Sequence, residues 1–448
     1  MPATTKPGFK PIGQTSSLKK FFPGDDEDMD LSQSSDIEPT PAPISTQPIT
    51  SNIGQVLDDK EVPCIPSTSQ DTRTELVQQP SLPNFALPQP PSALHSVNTS
   101  PRNAEPDGLV PSTPSQSSSK ELYQIVSQVG EGTFGKVYKA QNTISRLYVA
   151  LKRIRMEAER DGFPVTAMRE IKLLQSLRHD NVVRLHEMMV SNGSVYMVFE
   201  YMDHDLTGIL SQTQFTFSDA HLKSLCKQML AGLAYLHRKG VIHRDIKGSN
   251  ILVNNRGELK LADFGLARFY QKRRSADYTN RVITLWYRPP ELLFGATVYG
   301  PEVDMWSAGC IMLELFTKKP VFQGMDEINQ LSAIYKLLGT PTPERWAGVL
   351  DLPWYELIKP QQTSHSRLRE YFQKWMSPAA LDLAEGLLCY NPVERVSAVQ
   401  AMQAPYFTQE LPAEEIPDGL ATLEGEWHEL ETKREREKKK RKAEGAAP

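Results

Sequence analysis

Aromatic and proline residues divide this chain into two unlike parts, and the division decides which part can fold. All six Trp and all 15 Tyr lie after residue 120. Residues 1–120 instead hold 19 of the 34 prolines, 29 Ser plus Thr and only four Phe. A segment so rich in Pro and Ser cannot bury enough apolar surface to offset its chain entropy. Residues 1–118 therefore read as a disordered leader. About 300 residues remain for a core, enough for one large domain or two lobes.

Charge divides in the same place. Residues 1–120 carry a net −6 and the remainder +2, for −4 in all. That balance gives no reason to expect a protein that coats nucleic acid or reads its sequence directly. Cys64, Cys226, Cys310 and Cys389 are far apart and form no C-x-x-C pair. This disfavours a zinc site or a disulfide scaffold and suits a reducing compartment. No apolar run of 18 residues and no signal-peptide core occurs, so the expectation is a soluble intracellular protein with no membrane partner. Within the leader, Leu18-Lys19-Lys20-Phe21-Phe22 reads either as an incidental apolar cluster or as an anchor for a partner's pocket. Thr40-Pro41, Ser100-Pro101 and Thr113-Pro114 are its three Ser/Thr-Pro sites.

At Glu121 the pattern changes. Leu122, Ile125, Val126 and Val129 lead into a glycine loop, and Val137 to Ala140 and Tyr148 to Lys152 follow as short β-rich runs separated by turns, which signals an antiparallel sheet. Residues 164–177 switch to helix, with Pro164 at the first position and Met168, Ile171 and Leu174 along one side. Val195 to Glu200 reads as another strand. From about residue 219 the chain turns helical. Leu222, Leu225, Cys226, Met229, Leu233 and Leu236 form an apolar stripe, and Trp306 to Phe316, apolar nearly all round, reads as a buried central helix. A β-rich first lobe before a helical second lobe is an α+β plan. The boundaries read as 119–201 for the first lobe, 202–408 for the second and 409–448 for a carboxy-terminal extension.

Three motifs carry chemistry. Gly130-Glu131-Gly132-Thr133-Phe134-Gly135-Lys136-Val137 is a glycine loop between strands, and glycine lets the backbone approach phosphates with N–H groups aimed at them. Alone it is also compatible with a plain hairpin turn. Lys152 ends an apolar strand, where an ammonium is costly without an anion, and Glu170 in the following helix is a candidate partner. His243-Arg244-Asp245-Ile246-Lys247-Gly248-Ser249-Asn250 is far more specific, and Asp263-Phe264-Gly265 follows a hairpin at Ile251 to Leu261. Phosphoryl transfer to a hydroxyl needs this set: a carboxylate to take the proton, a cation at the phosphate and oxygen ligands for Mg²⁺.

These motifs, in this order, resemble the eukaryotic protein kinases over residues 121–408. The resemblance implies a bilobal fold with Mg²⁺ and ATP between a β-rich N-lobe and a mainly helical C-lobe. It implies that Val129, Gly130, Glu131, Gly132, Gly135 and Val137 cover the nucleotide. Lys152 would hold the α/β-phosphates and Glu170 would hold Lys152. Ala150 and Leu252 would sandwich the adenine, and Phe199 would guard the back pocket. Glu200 to Met202 would form the hinge, and Asp205 would meet the ribose. Asp245 would be the catalytic base and Lys247 would steady the phosphoryl group, with Asn250 and Asp263 as metal ligands.

Within that family, Phe163 to Glu170 looks like the cyclin-binding helix of cyclin-dependent kinases, and Tyr278 to Arg288 like their activation segment. The resemblance makes Thr279 the activating phosphosite, modified by a separate kinase, with Arg169, Arg244 and Arg268 as its cradle. It places Ile283 and Arg288 where a preference for proline after the phosphoacceptor arises. Phe134 stands where cell-cycle members carry an inhibitory tyrosine. Phe199 to Leu206, Lys247 to Asn250 and Thr317 to Phe322 look like the transcription-elongation branch and its fungal members. That branch implies a cyclin resembling cyclin K, a third small subunit in fungal complexes, a nuclear location, and Ser in the heptad repeats of RNA polymerase II as substrate. The sister elongation-factor kinases, a cell-cycle kinase and a non-catalytic scaffold are the alternatives. Intact Lys152, Asp245, Asn250 and Asp263 argue against a scaffold. The basic run from Lys433 to Lys442, after Trp427-His428-Glu429, reads as a solvated helix, a nuclear-localisation patch or, by family resemblance, part of an extension folding back toward the nucleotide.

Overall fold

A computed structural model describes residues 10–11, 122–132, 135–156, 163–191, 193–270 and 277–429. The leader's Leu18–Phe22 segment and its Ser/Thr-Pro sites, Thr133, Phe134 and the basic run 433–442 lie outside the described residues.

The first lobe is an antiparallel sheet. Its strands are β1 (Lys10–Pro11), β2 (Tyr123–Gly132), β3 (Gly135–Asn142), β4 (Tyr148–Ile154), β5 (Leu185–Ser191) and β6 (Ser194–Glu200), in the order β1-β5-β6-β4-β3-β2. Strand alternation explains how one strand serves two purposes. Val149 and Leu151 of β4 join Tyr123, Ala140, Met189 and Val198 in a small core. Ala150 and Lys152, one residue out of phase, face the cleft instead.

Helix α1 (Val165–Ser176) connects β4 to β5 and buries Ala167, Glu170, Ile171, Leu173 and Leu174. Pro164 is not its first helical residue but its cap, held extended at ψ 123°. The helix lies against Phe264–Leu266. Val165, at its outer end, is 60% exposed.

The second lobe begins with α2 (Leu206–Ser211) and α3 (Asp219–Arg238). Ser218 and His221 form a capping box at the start of α3, satisfying two backbone N–H groups that would otherwise be orphaned. After α4 (Pro290–Leu293), helix α5 (Glu302–Thr317) runs through the centre. It buries thirteen consecutive residues, Val303 to Leu315, as its all-round apolar sequence requires. Helix α6 (Glu327–Leu338) and five shorter helices complete the lobe. The expected α+β plan, a sheet-rich lobe followed by a helical one, is the plan of this structure. Among the described residues no helix is long and apolar enough to cross a membrane.

One buried pair ties the activation segment's end to the far side of this lobe. Arg395 donates to Glu291 through two bonds of 2.7 and 2.9 Å and also to the carbonyls of Cys389 and Glu302. Both side chains are almost wholly buried, so removing one leaves the other charged and unpaired. Arg395→Ala is expected to cost about 3–5 kcal/mol of stability, read from the urea midpoint; a loss below about 1 kcal/mol would mean water replaces the pair.

Candidate active site

The lobes enclose a cavity of about 550 Å³. Its roof is the β2–β3 hairpin, in which Gly130 faces Val137 and Gly132 faces Gly135. Gly135 is obligatory there. Its φ is +144°, and a Cβ would sit 1.9 Å from the carbonyl oxygen of Arg153. Val129, Gly130, Glu131, Gly135 and Val137 line the cavity from above. Ala150, Phe199, Glu200, Met202, Asp205 and Leu252 line its walls.

At the back, Lys152 donates to Glu170 Oε1 at 2.7 Å and to Asp263 Oδ1 at 2.8 Å. Burial alone would lower the lysine pKa, but Asp263 and Glu170 outweigh it and hold the ammonium charged. Burial would likewise raise Asp263, yet Lys152 keeps its carboxyl below the usual range. Glu170 moves up, chiefly through burial, with the Asp263 charge adding to it. This triad joins β4, α1 and the segment after Leu261 in one contact.

The floor is the loop after Ile242. Asp304 of α5, wholly buried, accepts from the backbone N–H of His243 and of Arg244, both at 2.8 Å. His243 accepts from Asp245 N on Nδ1, so its Nε2 carries the proton donated to Ala262 O. Asp245 is thereby presented to the cleft with both carboxylate oxygens engaged. Oδ1 accepts from Thr284 Oγ1 at 2.9 Å; Oδ2 lies 2.8 Å from Lys247 Nζ and accepts from Asn250 Nδ2 at 2.9 Å. Five non-glycine residues among those described have positive φ, and Arg244, Asp263 and Ile283 of this site are three of them. Such strain costs about 1–3 kcal/mol per residue and persists where surrounding contacts impose it.

The activation segment crosses in front. Thr279 is exposed. Arg244 donates to Tyr299 Oη, which donates in turn to the Thr279 carbonyl at 2.7 Å. Burial lowers the Arg268 pKa, and the neighbouring charges of Arg169 and Arg244 lower it further. The three arginines from three elements thus crowd one another. Arg288 donates to the carbonyls of Val282 and Ile283 at 2.9 and 3.1 Å. Tyr287, below it, donates to Glu314 Oε2 at 2.8 Å.

The protein kinase domain family matches residues 123–407. The chain belongs to the protein kinase family. It is 51% identical to the CTD kinase subunit alpha of Schizosaccharomyces pombe, over 84% of this chain and 67% of that protein. It is 50% identical to the CTD kinase subunit alpha of Saccharomyces cerevisiae, over 72% of this chain and 61% of that protein. The chain therefore spans less than two thirds of the second relative. A solved structure of the yeast RNA Pol II CTD kinase CTDK-1 complex superposes with a TM-score of 0.63 at 49% identity, covering 68% of this chain and 98% of that one. The chain is a serine/threonine-protein kinase.

Kinases use ATP with Mg²⁺, and the donor set here suits such a metal. Both amide hydrogens of Asn250 go to Asp245, to its carbonyl and its carboxylate, which assigns Oδ1 as the oxygen turned elsewhere. Asp263 offers a carboxylate on the same side of the cleft. Two oxygen donors are what a hydrated, phosphate-bound Mg²⁺ takes from protein. Among the described residues no cluster of three or more His, Cys, Asp or Glu could hold a metal by itself.

The cavity gathers most of the residues expected from the sequence. Gly132 sits at the hairpin tip, outside the cavity lining. Asp205 lines the cavity and is also tied to its neighbours. Its Oδ1 accepts from Gly208 N at 2.8 Å and its Oδ2 from Glu429 N at 2.6 Å. Sequence reasoning gave no role to Thr284 or Asp304; Asp304 stands two residues before Trp306, just ahead of the run read as the buried helix. The carboxy-terminal extension returns to the cleft, and His428 and Glu429 line it.

Glu314 generates a pH prediction for this kinase. Burial pushes its carboxyl from 4.5 up to about 7. A raised carboxyl pKa means stability is greatest below pH 4.5 and declines as pH rises through 7. Between pH 5 and 8 the wild type is expected to lose about 3 kcal/mol more urea stability than Glu314→Gln. Equal slopes for the two proteins would refute the shift.

Proposed function

We propose that this kinase is cyclin-dependent and transfers the ATP γ-phosphate to Ser in the heptad repeats of the RNA polymerase II C-terminal domain, in the nucleus, promoting elongation. The observation that carries the reading is the Asp245 carboxylate, presented by strained backbone and bracketed by Lys247, Asn250 and Thr284. Similarity to two CTD kinase alpha subunits supports the substrate class.

In this reading Asp245 orients the serine hydroxyl and takes its proton as the oxygen attacks phosphorus. Lys247 offsets charge on the transferring group. Lys152, held by Glu170, orients the α/β-phosphates. Mg²⁺, held by Asn250 and Asp263, supplies further charge neutralisation at the phosphates when bound. Ala150 and Leu252 bracket the adenine, and Glu200 to Met202 supply hinge contacts. Arg288 occupies the carbonyls of Val282 and Ile283, so the pocket after the phosphoacceptor offers no acceptor for an N–H. Proline, which lacks one, is favoured there.

Regulation in this reading acts on Glu170 and Thr279. A cyclin docks on α1 and sets Glu170. A kinase phosphorylates Thr279, and the phosphate neutralises Arg169, Arg244 and Arg268. Residues 119–201 and 202–408 are the two lobes, 409–448 the extension and 1–118 the leader. A third small subunit completes the complex.

The deciding assay uses the full chain purified with its cyclin on a peptide of heptad repeats. Phosphate is expected on Ser-Pro, with at least about tenfold lower kcat/KM when that proline becomes alanine. Asp245→Asn should lower kcat by about 10²–10⁴ and still co-purify with cyclin. No phosphate on the heptads, or unchanged turnover in Asp245→Asn, would reject the reading. Thr279→Ala should reduce kcat severalfold without abolishing it; wild-type kcat in that variant would show that the phosphate is dispensable.

A further inference from the structure

Tyr299 lies between α4 and α5, outside the cavity lining, and is only 8% exposed. A phenol buried in this way needs partners for its hydroxyl. Its partners belong to two functional elements. The hydroxyl accepts from Arg244 Nη1 at 3.0 Å and donates to the Thr279 carbonyl at 2.7 Å. A phenol has one proton, so the direction of this relay is set. Burial raises the phenol's pKa against the pull of Arg244, which keeps that proton in place.

The residues just ahead of Tyr299 grip the same stretch of the activation segment. Tyr278 N donates to Thr297 O at 2.7 Å, and Thr297 Oγ1 donates to Asp277 Oδ1 at 3.1 Å. The Tyr278 and Tyr299 rings lie 5.3 Å apart, and the Arg244 guanidinium stands 5.7 Å from the Tyr278 ring. None of these contacts runs through the Thr279 hydroxyl, so phosphorylation there leaves them available. The Tyr299 hydroxyl supplies a hydrogen-bonded link from this stretch to the catalytic loop. It ends on Arg244, the residue whose left-handed backbone presents Asp245.

We propose that Tyr299 is a positioning residue that holds the activation segment against the catalytic loop independently of a phosphate on Thr279, and so sustains turnover when that phosphate is absent. Tyr299 acts through Arg244 and the Thr279 backbone and does not touch the reacting atoms. Phosphate and phenol are then two parallel ties to the same arginine. The inference rests on the reading of Thr279 as the activating phosphosite.

The test uses the full chain with its cyclin on a peptide of heptad repeats. Tyr299→Phe, which removes the hydroxyl and keeps the ring, is made in two backgrounds: Thr279→Ala, and wild type with Thr279 fully phosphorylated as checked by mass spectrometry. In the Thr279→Ala background, loss of the hydroxyl is expected to lower kcat by about tenfold and to speed hydrogen exchange over residues 277–282. In the phosphorylated background the loss should stay below about threefold, because the phosphate ties Arg244 by itself. That dependence on phosphate is what a merely structural hydroxyl would not show. Equal losses in the two backgrounds, no loss in Thr279→Ala, or a Thr279→Ala protein without any turnover would overturn the proposal. Phosphorylated wild type no faster than Thr279→Ala would instead remove the phosphosite reading, and the inference with it.

Discussion

A buried ammonium organises this kinase. Lys152 leaves water to sit between Glu170 and Asp263, and its desolvation is offset only while both carboxylates are in place. Each carboxylate rides on a different element. Glu170 moves with α1, and Asp263 moves with the segment that leads into the activation loop. The three elements are thus held to one arrangement by a local electrostatic requirement. Shifting α1 by one turn would strand a charge in the cleft, so the seating of α1 bears directly on the site.

The second lobe supplies rigidity where the first supplies adjustability. Asp304 emerges from a helix buried on all sides and fixes two consecutive backbone N–H groups of the catalytic loop. With His243 it imposes the left-handed conformation of Arg244, which an isolated loop would not adopt. The same strained turn sends the Arg244 side chain toward Tyr299 and the Thr279 carbonyl, and the next side chain, Asp245, into the cleft. One backbone distortion therefore sets both the contact toward the activation segment and the position of Asp245 in the cleft. Burial lowers the Arg268 pKa and the charges of Arg169 and Arg244 lower it further, so an anion arriving beside them would relieve repulsion already present.

Much of this was legible in the residue order because short-range spacing carries it. Asp245 and Asn250 are five residues apart in one loop, and their hydrogen bond follows from that proximity. Lys152 and Glu170 were a candidate pair on desolvation cost, and the glycine loop and the later motifs made the pairing the favoured one. What stayed hidden depends on contacts between distant residues. Asp304 lies about sixty residues from the N–H groups it holds, and nothing in its surroundings names that partner. Asp205 could be placed near the cleft, but not its engagement by Glu429, 224 residues away. A ladder built from backbone groups leaves no side-chain pattern to read. Pro164 shows the smaller kind of miss: a proline suits either the cap or the first turn, and only its ψ decides.

The cleft is consequently bounded from two independent directions. At the back, the Lys152 triad couples lobe closure to α1 and to whatever covers its exposed end. At the front, Glu426 of the extension meets Lys139 and Tyr201. The first constraint is electrostatic and centred on the buried Lys152–Glu170 pair, so ionic strength changes it little. The second is partly exposed, mixes charge with ring contacts and is open to modulation by salt or by a partner of the extension. The two constraints differ in kind: the back is fixed by charges that must stay paired, the front by contacts that water can reach.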